Sequence, residues 1–200
     1  MTKQYGVDVA AVRADDLDKK CLKSVASLPN SSILELGCGS GGQTLRMAEA
    51  GGVVTAVDIK DYSKQFTDVK HVTFIQSDIR NLNSTLGTTF NFCLLQRTVH
   101  YLQYDEALNL LRFLRTIVTD NLFISVTGID SDIGEQYVGR NHPIQERFHC
   151  LGASEQEIFS ISEPICLYTP VEFMELLTQS GWVIEECWTS AFGNVKAVCS

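Results

Sequence analysis

The stretch from Ile33 to Asp58, ILELGCGSGGQTLRMAEAGGVVTAVD, limits what this chain can fold into more than any other. A short apolar run, Ile33 to Leu36, stops at a glycine cluster. A helix-like segment then leads through Gly51 and Gly52 to a second β-rich run, Val53 to Val57. That succession reads as strand, tight loop, helix, strand. Gly37, Gly39 and Gly41 are spaced to let the backbone turn sharply and present bare N–H groups at a helix N-terminus. The loop is therefore a cradle for a small ligand. Asp58 ends the second strand, where a carboxylate can accept both hydroxyls of a ribose, so a nucleoside is the natural occupant.

Gly37-x-Gly39-x-x-Gly42 also satisfies the dinucleotide fingerprint, so the glycines alone leave two ligand classes open. Glu35 separates them. Its carboxylate would face the anionic pyrophosphate of a dinucleotide in a partly desolvated loop, whereas it suits a ligand that presents an ammonium. The run Glu35-Leu36-Gly37-Cys38-Gly39-Ser40-Gly41 resembles motif I of the class I S-adenosylmethionine-dependent methyltransferases, in which such a loop cradles the amino-acid end of the cofactor. The resemblance implies S-adenosyl-L-methionine as cofactor and S-adenosyl-L-homocysteine as product. It places Glu35, Gly37, Cys38, Gly39, Gly41, Asp58 and Ile59 at the cofactor.

Two hundred residues with 44% apolar composition and 4 prolines make a single domain, 1–200, with a real core. The formal charge is −8 and the basic residues are scattered, so the positive footprint that a nucleic acid demands is missing and a small or protein substrate is favoured. Residues 1–20 lack the apolar core of a signal peptide and no later run has the length of a membrane span, so a cytoplasmic protein is expected. The seven cysteines are dispersed without a C-x-x-C, which argues against a disulfide framework and a structural zinc site.

Leu17, Cys21, Val25 and Leu28 recur at near-helical spacing until Pro29-Asn30, with Asp15, Asp16, Asp18, Lys19 and Lys20 on the other faces. The segment before this helix, with Tyr5, is a candidate cover for the cofactor mouth. Lys60, Asp61, Lys64 and Gln65 lie in a polar stretch that reads as a second crossover helix, and His71 to Ile75 as a third strand. Asp78 follows at the same sheet edge as the glycine loop. In the methyltransferases it resembles, an acid here meets the exocyclic amine of adenine and the next apolar residue, Ile79, packs on the ring; the alternative is that Asp78 caps a turn.

Phe90 to Gln96 is a strand buried on both faces. Gln96-Arg97-Thr98-Val99-His100-Tyr101 leaves its end and resembles motif IV of the small-molecule branch of the family, which adds Gln96 to the cofactor residues. An (Asp/Asn)-Pro-Pro-(Tyr/Phe) motif is absent, which lowers the case for planar amines of bases or glutamine. No Pro-Cys pair follows the strand, against a cytosine-C5 enzyme. Asp105 opens a helix through Ala107, Leu110, Leu111, Leu114 and Val118, and Leu122 to Val126 is a fifth strand. Thr169-Pro170-Val171-Glu172 caps a last helix, and Val183 to Thr189 with Asn194 to Cys199 makes a closing hairpin. The resemblance implies an α/β, Rossmann-like methyltransferase fold. Its seven-stranded, mostly parallel sheet has the order 3-2-1-4-5-7-6, the last strand antiparallel and helices on both faces.

Residues 129–168 exceed a minimal connection and are expected to form a lid that selects the acceptor. His142-Pro143 points to one short helix and Ser154-x-x-Glu157 to the cap of another. Seven acids against Arg140 and Arg147 favour a neutral or cationic substrate, with Tyr137, Arg140, His142, Arg147 and His149 near it. His142 and His149 lack a carboxylate at metal-site spacing, so no metal is expected.

Methyl transfer from a sulfonium needs in-line placement of the acceptor and exclusion of water, with a base only where the acceptor must lose a proton. His100 is the first candidate base, and His142, His149 and Tyr137 complete the catalytic set. The leading expectation is in-line methyl transfer to a small-molecule acceptor. A protein or RNA methyltransferase and a non-catalytic cofactor-binding module are the alternatives, and a nicotinamide oxidoreductase ranks last.

Overall fold

Asp15 accepts hydrogen bonds from the N–H groups of Leu17 and Asp18, and Asp18 accepts one from the N–H of Asp15. This reciprocal capping box starts α1 (Asp16–Ser27), whose stripe Leu17, Cys21 and Val25 is fully buried. The computed structural model describes residues 3–84 and 86–200. After α1 come β1 (Ser32–Leu36), α2 (Gly42–Glu49), β2 (Val53–Asp58), β3 (Val72–Gln76) and β4 (Phe90–Gln96). Then follow α3 (Tyr104–Ile117), β5 (Val118–Thr127), α4 (Ala153–Phe159), α5 (Pro170–Gln179), β6 (Ile184–Thr189) and β7 (Asn194–Cys199).

The strands form one sheet in the order β3-β2-β1-β4-β5-β7-β6. Neighbours from β3 to β5 pair parallel, while β7 runs antiparallel to both β5 and β6. The strand order and the antiparallel β7 expected from the resemblance are both observed. Strand alternation divides the core. Ile33, Phe92, Leu94, Phe123 and Val198 pack with α1 and with Met47 of α2; Leu34, Cys93, Leu95, Ile124 and Ala197 face α3 and α5. On the α1 face, register aligns Gln96 with Ser125 and Ser125 with Lys196, placing a polar row at the carboxyl edge of β4 and β5.

Several expected elements differ. Residues 60–65 contain only a 3₁₀ turn, Ser63–Gln65, because the stretch has no apolar stripe to bury as a helix; Phe66 tucks in behind it against Cys38 and Ala56. Helix α3 begins at Tyr104 and ends at Ile117, and β-branched Val118 opens β5 opposite Phe90. Strand β5 is therefore longer than Leu122 to Val126. Thr169 and Glu172 do form the expected reciprocal cap of α5. Ser154 lies inside α4, which is preceded by Gly152 at its N-cap, and after His142-Pro143 there is a single 3₁₀ turn, Ile144–Glu146. Residues 129–168 build a satellite core of Ile129, Tyr137, Leu151, Ile161, Ile165 and Leu167.

The N-terminal segment crosses from this satellite to the glycine loop. Gly6 N–H donates to Ser160 O and Ser162 N–H to Gln4 O, with Tyr5 opposite Ile161. Farther along, Arg46 of α2 donates to Ala10 O at 2.7 Å. Among the described residues no helix is long and apolar enough to cross a membrane. At Gly42 a Cβ would lie 2.2 Å from Ala10 O, so the segment docks only against a bare Cα. Gly42→Ala is expected to lift the segment while sparing the sheet: trypsin cleavage after exposed Arg13 accelerates several-fold, read by limited proteolysis, with the unfolding free energy from urea titration changed by about 1 kcal/mol or less.

Candidate active site

Strand β1 delivers the chain to Gly37 at φ +75°, where an added Cβ would lie 2.3 Å from Thr98 Oγ1. Only glycine meets both demands. Asp58, at the end of β2, accepts the Gly39 N–H through Oδ2 and the Lys60 N–H through Oδ1, each at 2.9 Å. It thereby shapes the glycine loop, and its remaining lone pairs are available to a ligand. Asp8 of the N-terminal segment also rests on the loop: its Oδ2 accepts the Ser40 N–H at 2.9 Å and the Ser40 hydroxyl at 2.6 Å. A Cβ on Gly39 would stand 2.7 Å from that oxygen.

Glu35 is buried beside the loop and accepts a hydrogen bond from Thr44. Burial pushes its carboxyl up to about 8, helped by the charges of Asp18, Asp8 and Asp58 and opposed by Thr44. It is thus largely protonated at neutral pH, not the open carboxylate anticipated from its position. Asp18 is raised to about 6, again chiefly by burial, and its Oδ1 is enclosed without a hydrogen-bond partner. Gln96 donates to Asp15 Oδ2 at 2.7 Å, and the buried Lys196 donates to the same oxygen and to Asp16. Cys38 is buried, its thiol raised by burial first and by the charge of Glu35 next.

One cavity of about 1230 Å³ collects Glu35, Gly37, Cys38, Gly39, Asp58, Ile59, Asp78, Ile79, Gln96 and His100 along its wall. Gly41 stands behind it, its Cα against the ring of Phe66. Asp78 Oδ1 accepts both the N–H and Nε–H of Arg80 at 3.0 Å, so it does cap a turn. Ile59 is half-open and Ile79 is packed into the core.

The catalytic expectations need correction. His100 is buried, with Nδ1 3.3 Å from Thr127 Oγ1; burial, then the charge of Arg97, lower it to about 3, so it is a poor proton acceptor at neutral pH. Tyr137 is enclosed outside the cavity wall, its hydroxyl against the carbonyls of Arg147 and Ile165 and accepting the His149 N–H. His142 and His149 also lie off the wall and face each other, Nδ1 to Nε2, at 3.3 Å. Arg147 is buried in a bidentate pair with Glu172, and Arg140 pairs with Asp130. Of the seven acids in 129–168, only Asp132 and Glu163 reach the cavity, and Glu163 is bound to Lys3. The acidic cover therefore faces mostly elsewhere.

Four residues went unread as site residues. Asp8 and Lys196 find partners 32 and 181 positions away, which no local pattern encodes. Asp15 carried a signal, the Asp15-x-x-Asp18 box, that counting it as a surface face obscured. Arg97 sits at φ +49°, its N–H donating to Ser125 O at 2.9 Å and Ser125 Oγ at 3.1 Å.

Comparison with known proteins bears on this arrangement. The methyltransferase domain family matches residues 33–121. The cypemycin N-terminal methyltransferase of a Streptomyces species is 31% identical over 121 residues, covering 52% of this chain and 49% of that protein. The chain thus spans about half the length of the curated relative it matches. Among solved structures, the 1,6-didemethyltoxoflavin-N1-methyltransferase of Burkholderia thailandensis, with 1,6-didemethyltoxoflavin and S-adenosylhomocysteine bound, superposes with a TM-score of 0.70 at 18% identity, over 96% of this chain and 78% of that one. The glycopeptide N-methyltransferase MtfA, complexed with S-adenosylhomocysteine, gives 0.66 at 17% identity over 93% and 90%. The CcbJ methyltransferase of Streptomyces caelestis gives 0.67 at 14% identity over 98% and 97%. At such identities the structures establish the fold alone. The domain match across the glycine loop and the strand order just described support a class I S-adenosylmethionine-dependent methyltransferase.

Proposed function

We propose that the protein transfers a methyl group from S-adenosyl-L-methionine to a small-molecule acceptor by in-line displacement, leaving S-adenosyl-L-homocysteine. The observation that carries this reading is the single cavity of about 1230 Å³, which exceeds the ~300–1,000 Å³ of a one-ligand pocket and runs from the glycine loop to residues 133–161. Donor and acceptor fit side by side. The cofactor supplies an activated methyl on a sulfonium.

The residues present fit that cofactor at the loop end. Gly37 and Gly39 leave no side chain between backbone and ligand, and Asp58 offers a carboxylate at the end of β2 to a ribose. Glu35, Cys38, Gly41, Ile59, Asp78, Ile79 and Gln96 complete the assigned cofactor set. His100 positions the acceptor wall through Thr127 and is not the base, so an acceptor whose lone pair is free at neutral pH suits the site. The seven free cysteines agree with a reducing, cytoplasmic setting. A peptide acceptor is the second reading, favoured by the Streptomyces relative; turnover of a peptide N-terminus in preference to small amines and acids would select it.

Calorimetric titration is expected to show saturable binding of S-adenosylmethionine and S-adenosylhomocysteine but not NAD, and Asp58→Ala to weaken both by about tenfold or more. Binding of NAD alone would overturn the reading. A second outcome concerns Glu35. A ligand ammonium beside its raised carboxyl favours the charged form, so binding near pH 7 releases a proton and affinity rises with pH until about 8. Titrations in buffers of different ionisation enthalpy are expected to detect this proton with the wild type and not with Glu35→Gln.

A further inference from the structure

The cavity wall just past β4 holds a cation without a counter-ion among the described residues. Arg97 lines the wall at the end of β4, half-buried, and its guanidinium forms no hydrogen bond or ion pair among the described residues. The other cations on the wall with close contacts are occupied: Lys3 by Glu163, Arg80 by Asp78, Lys196 by Asp15 and Asp16. Lys60 lies over Tyr5 and Arg13 over Phe192, while Lys19 is exposed to solvent. Of the nearby acids, Asp8 is engaged by Ser40 and Asp132 is exposed to solvent.

The backbone holds Arg97 deliberately. A non-glycine residue at φ +49° is strained by ~1 kcal/mol or more, and the two hydrogen bonds to Ser125 keep it there. Such strain recurs where a side chain must point at a ligand. Arg97 leads directly into the turn that carries Tyr101, which packs with Ile133, Phe159 and Ile161 as an apolar part of the same wall.

We infer that Arg97 binds a carboxylate of the acceptor, so that the substrate class is a small organic acid with an apolar body resting on Tyr101, Ile133, Phe159 and Ile161. A guanidinium fork matches a carboxylate in two parallel hydrogen bonds. A singly charged group is the better match than a phosphate, because Asp132 and Glu163 line the same cavity. This inference rests on the methyl-transfer reading for the word acceptor, and replaces the preference for a neutral or cationic substrate drawn from the acids of 129–168.

The test is calorimetric titration of the full chain, with and without saturating S-adenosylhomocysteine, using benzoate, phenylacetate and hexanoate, each paired with its primary amide. At least one acid is expected to bind wild type about tenfold tighter than its amide. Arg97→Gln is expected to abolish that preference, and Arg97→Lys to restore part of it. Amides that bind as well as acids, no binding by any acid, or an acid preference that survives in Arg97→Gln would each overturn the inference. The comparison of acid with amide on wild type stands even if a variant misfolds. Failure of S-adenosylhomocysteine to bind would sink the methyl-transfer reading separately, since the titrations without it still decide whether Arg97 holds a carboxylate.

Discussion

Asp15 joins the start of α1, the end of β4 and the last strand. One oxygen caps α1; the other accepts from Gln96 at the end of β4 and from Lys196 in the last strand. Lys196 is 4% exposed at its side chain, so its ammonium tolerates burial only with Asp15 and Asp16 in place. Removing one partner of a buried pair costs about 3–5 kcal/mol, most of it for the charge left behind; the half-open Asp16 offsets only part. The consequence is geometric. α1 is fixed over the carboxyl edge of the sheet, and the wall of the cavity beneath it is fixed with it.

Charge is distributed along that cavity with a sense. Glu35, Asp18, Asp58 and Asp8 gather at the glycine loop, and two of them, Glu35 and Asp18, are held partly or largely neutral by burial. Arg97 lines the same wall just past the end of β4. A donor with an ammonium and a sulfonium is drawn to the loop and repelled by the arginine, while an anionic acceptor meets the opposite forces. Protonated acids also spare the ligand-free protein the repulsion of several buried carboxylates, and release their protons when a cation arrives.

Much of the scaffold was legible because its signals are local. The glycine spacing after Leu36, the cap Thr169-x-x-Glu172 and the apolar run Phe90 to Gln96 each encode one element within a few residues. Where two periodicities compete, the boundary moved: Val118 fits the stripe of α3 by spacing but is β-branched and pairs opposite Phe90. The polar stretch at residues 60–65 had charge but no apolar stripe, and without one a crossover helix has nothing to bury. Site residues were legible only where a motif fixed them to the loop. His100 was read by its ordinary titration, but burial, which no residue type announces, decides its pKa. Tyr137, His142 and His149 were grouped because they are near in sequence, yet the satellite core turns them away from the cavity.

The N-terminal segment adds the last constraint, access. It lies across the cavity between the satellite core and the glycine loop, tied by a few backbone bonds, the Lys3–Glu163 pair and the carboxylate of Asp8. An exposed pair such as Lys3–Glu163 contributes ~0–1 kcal/mol, and short exposed ladders open at low cost. The sheet below is tied by full strand registers and a buried core, so the segment opens first. Asp8 makes this opening sensitive to occupancy. Its two hydrogen bonds to Ser40 occupy donors at the loop beside which the donor's cationic end is proposed to lie, and that cation gives the carboxylate a competing partner. The same aspartate thus braces the loop through Ser40 and brings a carboxylate to the proposed cationic end of the donor.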